Sequence, residues 1–213
     1  MRANLLGSAS MDGRRAQAAR NDTAILEAAR AVYAADPEAP IAAVAARAGV
    51  GISALSRRYP SKEELLRKLC GDGLRESIAA AESALADDGD AWKVFRRYMT
   101  RVVEADAHTL SFRLAIALEK DSEALWQDAT KAQDLRERVF KRAQKGGAVR
   151  EDAVAEDLGN VFQQLSAIRG PSAKRTQELR KRYLTLQLDG LRPRKKAQQL
   201  PGPPPRVRDR AGA

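Results

Sequence analysis

"AARAGVGISALSRRYPSKEELL" (residues 45–66) holds a glycine–valine–glycine break, an arginine pair and the start of a further helix in one short stretch. Just upstream, Ile41, Val44, Ala45 and Ala48 recur at three- and four-residue spacings, which makes this segment a short amphipathic helix. Pro40 suits its first turn, where a missing N–H has no partner to lose. Gly49 ends it, because a residue free to take positive φ closes a helix at that position. Ile52, Leu55 and Tyr59 give the next segment a buried side, and Pro60 stops it. Ser61, with Glu64 three residues on, forms a capping box for the helix that follows.

Three helices over 21–59, with a tight glycine turn before the third, are the layout of a helix-turn-helix. Ala45 is small enough to let the second and third helices cross closely, Gly49 allows the sharp turn, and Val50 plugs the angle between them. With Ile52 and Leu55 on the core, Ser53, Ala54, Ser56, Arg57 and Arg58 face outward. Small polar side chains permit close approach to a major groove, and guanidinium groups reach phosphates or guanine edges. An arginine pair by itself is ordinarily a solvated face; the turn in front of this one gives it a use.

Outward from this stretch the chain stays helical. Residues 1–20 are polar, small and basic and are expected to form a flexible arm that turns helical toward its end. From Asn21 the positions Ile25, Ala28, Ala29, Val32 and Tyr33 make a helix that Asn21 or Asp22 caps, and "DPEAP" (36–40) breaks it. Leu65, Leu66 and Leu69 begin a helix reaching about Leu85, and "DDGD" (87–90) interrupts. Trp92, Phe95, Met99, Val102 and Val103 form one later stripe; Leu110, Leu114, Ala117 and Leu118 form another. Leu135, Val139 and Phe140 lie in a charged helix ended by Gly146 and Gly147. Two final helices carry Val154, Leu158, Val161, Phe162, Leu165 and Ile168, then Leu179, Tyr183, Leu184, Leu188 and Leu191, with "RGPS" (169–172) between them. No alternating β pattern or internal repeat interrupts this, so the fold class is all-α. The tail 192–213, containing "PGPPPR", is basic, proline-rich and expected to be disordered.

The formal net charge of +10 sits at the ends. Residues 1–69 carry 11 Lys/Arg against 7 Asp/Glu, residues 70–190 carry 20 against 20, and residues 191–213 carry 7 against 1. A polyanion would be met by the ends. Cys70, the single cysteine, closes no intramolecular disulfide and suits packing better than chemistry. No apolar stretch approaches the roughly 18 residues of a membrane span, and "MRANLLGSAS" lacks the apolar run of a secretory signal. The expected location is cytoplasmic. His108 is the only histidine, without the neighbours of a zinc site. No phosphate loop or nucleophile elbow is present, so no catalytic residue, metal or cofactor is expected.

The run "VAARAGVGISALSRRYPSKEELL" is similar to the pattern I-A-x-x-A-G-V-S-x-x-x-L-Y-x-x-F, followed by S-K-x-x-L, of the tetracycline-repressor (TetR) family. The resemblance covers 21–69 strongly, and the helical remainder agrees in layout. It implies a helix-turn-helix DNA-binding domain over 21–69 and an effector-binding and dimerisation domain over 70–191. It further implies a sequence-specific DNA-binding regulator, a repressor released from a double-stranded operator by a small-molecule effector. Ser53, Ala54, Ser56, Arg57, Arg58 and Tyr59 then belong to the recognition helix, and Lys62 falls where the next helix meets a phosphate.

Three positions depart from the family pattern. Gly51 replaces a capping serine or threonine, Ser56 stands where a backbone-contacting tyrosine is usual, and Pro40 lies near a capping threonine's place. The resemblance also makes Trp92, Phe95, Met99, His108, Phe112, Trp126 and Phe162 effector-pocket candidates, although an apolar stripe is more often plain core. It pairs the last two helices with a symmetry mate, placing Val154, Leu158, Val161, Phe162, Leu165, Leu179, Tyr183, Leu184 and Leu188 at a homodimer interface; the alternative is that these stripes are satisfied inside one chain. The alternatives are a non-specific nucleoid-type binder driven by the basic ends, and an all-α carrier or enzyme with a vestigial DNA-binding domain.

Overall fold

A computed structural model describes residues 5–36, 38–105, 123–195 and 198–205. Among them are eight α-helices and no strand: α1 (Leu5–Ala35), α2 (Ile41–Ala48), α3 (Ile52–Arg58), α4 (Lys62–Leu85), α5 (Ala91–Glu104), α6 (Glu123–Lys145), α7 (Ala155–Ala167) and α8 (Ala173–Leu191). None is long and apolar enough to cross a membrane. The chain divides into two compact units, Met1–Leu69 and Cys70–Ala213.

In the first unit α2 packs against α1 and α3 against α2. Ile25, Ala29, Tyr33, Val44, Leu55 and Leu65 are almost fully buried. The helix expected only toward the end of the 1–20 arm reaches further back: α1 is continuous from Leu5, although Gly13 and residues 16–20 are exposed. The exposure of five successive residues, 16–20, leaves no apolar stripe there by which the sequence could announce the extension. Asp22 therefore lies inside α1 and caps nothing.

The second unit closes around Phe95, Met99, Val103, Phe140, Leu158 and Leu165, contributed by α5, α6 and α7, with Leu184 and Leu188 of α8 in the same core. Phe95 meets Phe140 edge-on at 6.4 Å, a geometry that aromatic rings favour. Local chemistry fixes the ends of these helices. Asp90 accepts the Lys93 N–H at 2.8 Å and Ser172 accepts that of Arg175 at 3.1 Å, each relieving an amide that a first helical turn leaves open. At the end of α4, Arg142 donates to the Leu85 and Asp87 carbonyls at 2.5 and 2.7 Å.

Arg150 and Asp152 form a short ion pair at 2.5 Å. Arg150 Nη2 also donates to the Gln198 carbonyl at 2.5 Å, and the Leu200 N–H donates to Asp152 Oδ2 at 2.9 Å. The tail expected to be disordered from 192 is thus pinned at 198–200, because backbone groups there find a ready-made pair of charges.

Candidate DNA interface

The turn between α2 and α3 is built by two backbone bonds. Gly49 sits at φ 67°, ψ 28°; its N–H reaches Ala46 O at 3.3 Å, and the Val50 N–H reaches Ala45 O at 3.1 Å. These satisfy carbonyls that the end of α2 would otherwise leave open, and only a residue tolerant of positive φ completes the arrangement cheaply. Pro40 stands one residue before α2 as its N-cap and supplies no side-chain bond. Gly51 caps α3 likewise, through its carbonyl alone, which accepts from Ala54 and Leu55. Ser61 does cap α4, accepting the Glu64 N–H at 3.2 Å.

Helix α3 is fastened by Leu55, fully buried, and by Tyr59 just past its end. Ser53, Ser56 and Arg57 are exposed and Ala54 is half-buried, the outward face expected of them. Ile52 does not help hold the helix: it is 46% exposed. It lies in the first turn of α3, next to the exposed Gly51.

Arg58 and Tyr59 also differ from expectation. Arg58 donates through Nε and Nη2 to the two oxygens of Asp22 on α1, at 2.9 and 3.1 Å. Tyr59 is buried, and its hydroxyl donates to Asp22 Oδ1 at 2.7 Å, so the phenol faces the domain rather than a groove. The guanidinium beside Asp22 holds its carboxyl below the usual range, with burial opposing. Burial first, then the bond to Asp22, pushes the Tyr59 hydroxyl well up. Lys62 is half-buried at the start of α4, its ammonium 5.3 Å from the centre of the Tyr33 ring, a cation–π distance.

Asp22 is the residue that sequence reading misassigned, although a signal for it existed. It occupies the same helical stripe as Ile25, Ala29 and Tyr33, and an acid on a buried stripe calls for a partner.

The remaining candidates scatter. Phe95, Met99 and Phe162 are packed into the core of the second unit. Trp92 is half-buried against Phe95 at 6.3 Å, with the Arg192 guanidinium 4.3 Å over its ring. Trp126 is 54% exposed. His108 and Phe112 lie outside the described residues, as do Leu110, Leu114, Ala117 and Leu118. Of the residues expected at a dimer interface, Leu158, Val161, Phe162, Leu165, Leu184 and Leu188 are buried by their own chain. α7 and α8 turn their richest apolar faces inward, onto the core that α5 and α6 share with them. Val154 and Leu179 are half-buried, and only Tyr183, at 45%, is openly exposed.

Two family models match the chain. Residues 25–69 match the model of bacterial regulatory proteins of the tetR family, and residues 87–193 match that of the transcriptional regulator SbtR-like C-terminal domain. The chain belongs to the TetR family. It is a DNA-binding transcriptional regulator with an N-terminal helix-turn-helix and a helical C-terminal domain; the family is one of regulators rather than enzymes.

Among TetR-family relatives, the HTH-type transcriptional repressor LfrR of Mycolicibacterium smegmatis is 41% identical over 78 residues, which is 37% of this chain. The match spans about two-fifths of that relative, 41% of its length. Solved TetR-family structures share the fold. The LfrR structure from Mycobacterium smegmatis in complex with proflavine aligns over 78% of this chain and 94% of its own, with 24% identity and a TM-score of 0.55. PfmR from Thermus thermophilus aligns over 79% and 99%, with 21% identity and a TM-score of 0.57.

Proposed function

We propose that this regulator is a cytoplasmic repressor that binds a two-fold operator as a homodimer and leaves it when a small molecule binds. The observation that carries the DNA half is the outward face of α3. Ser53, Ser56 and Arg57 stand free on a helix anchored by Leu55, by Tyr59 and by the tie of Arg58 to Asp22. Small polar groups followed by a cation at the helix end suit close approach to base edges with a phosphate or guanine contact at the margin. Repression and its release are suggested by LfrR, described as a repressor and crystallised with proflavine.

A single helix-turn-helix touches few base pairs, so specific binding calls for two half-sites about one DNA turn apart. Leu179, Tyr183 and Leu186 form an outward stripe on α8, with Leu186 58% exposed; this stripe, rather than the buried leucines, is our candidate for the two-fold contact. The test is to incubate the purified protein with sheared genomic DNA and sequence the retained fragments. Recovery of a shared, two-fold motif is expected. Uniform recovery of all sequences, with equal salt dependence, would instead make it a non-specific binder.

A further inference from the structure

Between α5 and α8 the second unit carries an open groove of about 800 Å³ whose lining is strongly cationic: Lys93, Arg96, Arg97, Arg101, Lys181 and Arg192. Among the described residues of the lining, Glu104 and Asp189 alone oppose them. The imbalance is local, since residues 70–190 hold equal numbers of acids and bases. Three of the six cations are engaged: Arg97 with Asp87 at 2.6 Å, Lys181 with Glu104 at 2.7 Å, and Arg192 on the Trp92 ring. Lys93, Arg96 and Arg101 are exposed and take part in no ion pair among the described residues.

Like charges three and four residues apart work against a helix, and α5 carries such spacings at 93, 96, 97 and 101. Packing does not require them, because the core side of α5 is made by Val94, Phe95, Tyr98, Met99, Val102 and Val103. The base of the groove is apolar, formed by Trp92, Leu184 and Leu188. A cleft with low-dielectric walls and charge of one sign concentrates the field on an entering anion, and its volume is that of a small-molecule site.

We propose that this groove binds a small organic anion, with a carboxylate, sulfate or phosphate-ester head at Arg96 and Arg101 and an apolar body against the half-buried Trp92, over the floor that Leu184 and Leu188 close. This goes beyond the DNA-binding reading and does not depend on it. At about 100° per residue, the groove-lining positions 181, 184, 185, 188 and 192 lie on the opposite side of α8 from Leu179, Tyr183 and Leu186. A dimer formed through the latter leaves the groove open.

Calorimetric titration of the full-length protein with 1-naphthyl phosphate, 1-naphthoate, 1-methoxynaphthalene and inorganic phosphate tests this. The two aryl anions should bind one per chain, the neutral compound should not, and inorganic phosphate should bind at least about tenfold more weakly. The double variant Arg96→Gln/Arg101→Gln should weaken aryl-anion binding by about tenfold or more while its circular dichroism and melting temperature stay at or above the wild-type values. Arg138→Gln/Lys141→Gln, which removes the same charge from α6, should leave binding unchanged. No aryl-anion binding up to about 1 mM, equal binding of the neutral compound or of phosphate, or equal losses in the two double variants would each overturn the proposal.

Discussion

The two oxygens of Asp22 receive the Nε and Nη2 of Arg58 at 2.9 and 3.1 Å, joining the middle of the first helix to the last residue of the recognition helix. The Tyr59 hydroxyl shares the first of those oxygens. The recognition helix has only seven residues and no side-chain N-cap, so this tie at its other end has a large part in fixing where it points. The pair is partly exposed, 61% at Arg58 and 21% at Asp22, and its worth in stability is correspondingly small.

Asp22→Ala should lower stability by about 1 kcal/mol at neutral pH, yet weaken operator binding by more than that, because the recognition helix loses its orientation. The carboxyl is held below its ordinary value by the Arg58 hydrogen bond. Its contribution is therefore complete above the ordinary aspartate range and disappears as pH falls through the lowered value. Denaturation across acid pH should show a shallower acid limb in the variant than in the wild type.

Arg57 and Arg58 should separate in their effects. Arg57 is exposed and is the better candidate for a DNA contact. Arg57→Ala should reduce the log–log salt slope of operator binding by roughly 2 for a dimer, at about 0.9 per phosphate, without changing the melting temperature. Arg58→Ala should resemble Asp22→Ala, with a small loss of stability. Fluorescence anisotropy across a salt series, beside thermal melts, distinguishes them.

Gly49→Ala should destabilise the turn by about 1–3 kcal/mol through backbone strain alone, since an added Cβ there meets nothing within 4 Å. Gly49→Asn should cost less, because asparagine tolerates positive φ better. Matching losses in the two variants would show that strain is not the cause.

Phe162→Glu and Leu186→Glu should fail differently. Phe162 is 4% exposed within the core, so a buried unpaired carboxylate there should cost several kcal/mol and unfold the second unit. Leu186 is on the surface, and a glutamate there should leave a helical, stable monomer that no longer binds the operator. Sedimentation and circular dichroism together read both outcomes.

The pin on the tail should be acid-sensitive. Arg150 first, then the Leu200 N–H, brings the Asp152 carboxyl down from 3.8 to about 2. The contact is thus fully formed above the ordinary value and is released as pH falls toward 2. The Leu200 amide resonance should titrate with that midpoint, and Asp152→Ala should hasten tryptic cleavage at Arg194 and Lys195.

The helix-turn-helix could be read because its determinants are local. Pro40, Gly49, Pro60 and Ser61 act within the same turn of chain, and the structure uses each at a helix boundary. What escaped depends on distance along the chain. The partner of Arg58 lies 36 residues away, and the Leu200 N–H that Asp152 accepts lies 48 residues away. The closing helices posed another difficulty. Leu184 and Tyr183 are neighbours of similar size, one buried by this chain and one exposed. An apolar stripe records that something will cover it, but not whether the cover is the same chain or another copy.

Cys70 opens the second unit fully buried, and burial pushes its thiol up to about 12. A thiol so protonated and enclosed is a poor nucleophile at neutral pH. The native protein should therefore ignore alkylating reagents and mild oxidants that would modify an exposed cysteine. Because the chain has no second cysteine, labelling can occur only when this site opens. In an excess of iodoacetamide, the rate of modification then becomes a clock for spontaneous opening at the start of the second unit, with no engineered probe required.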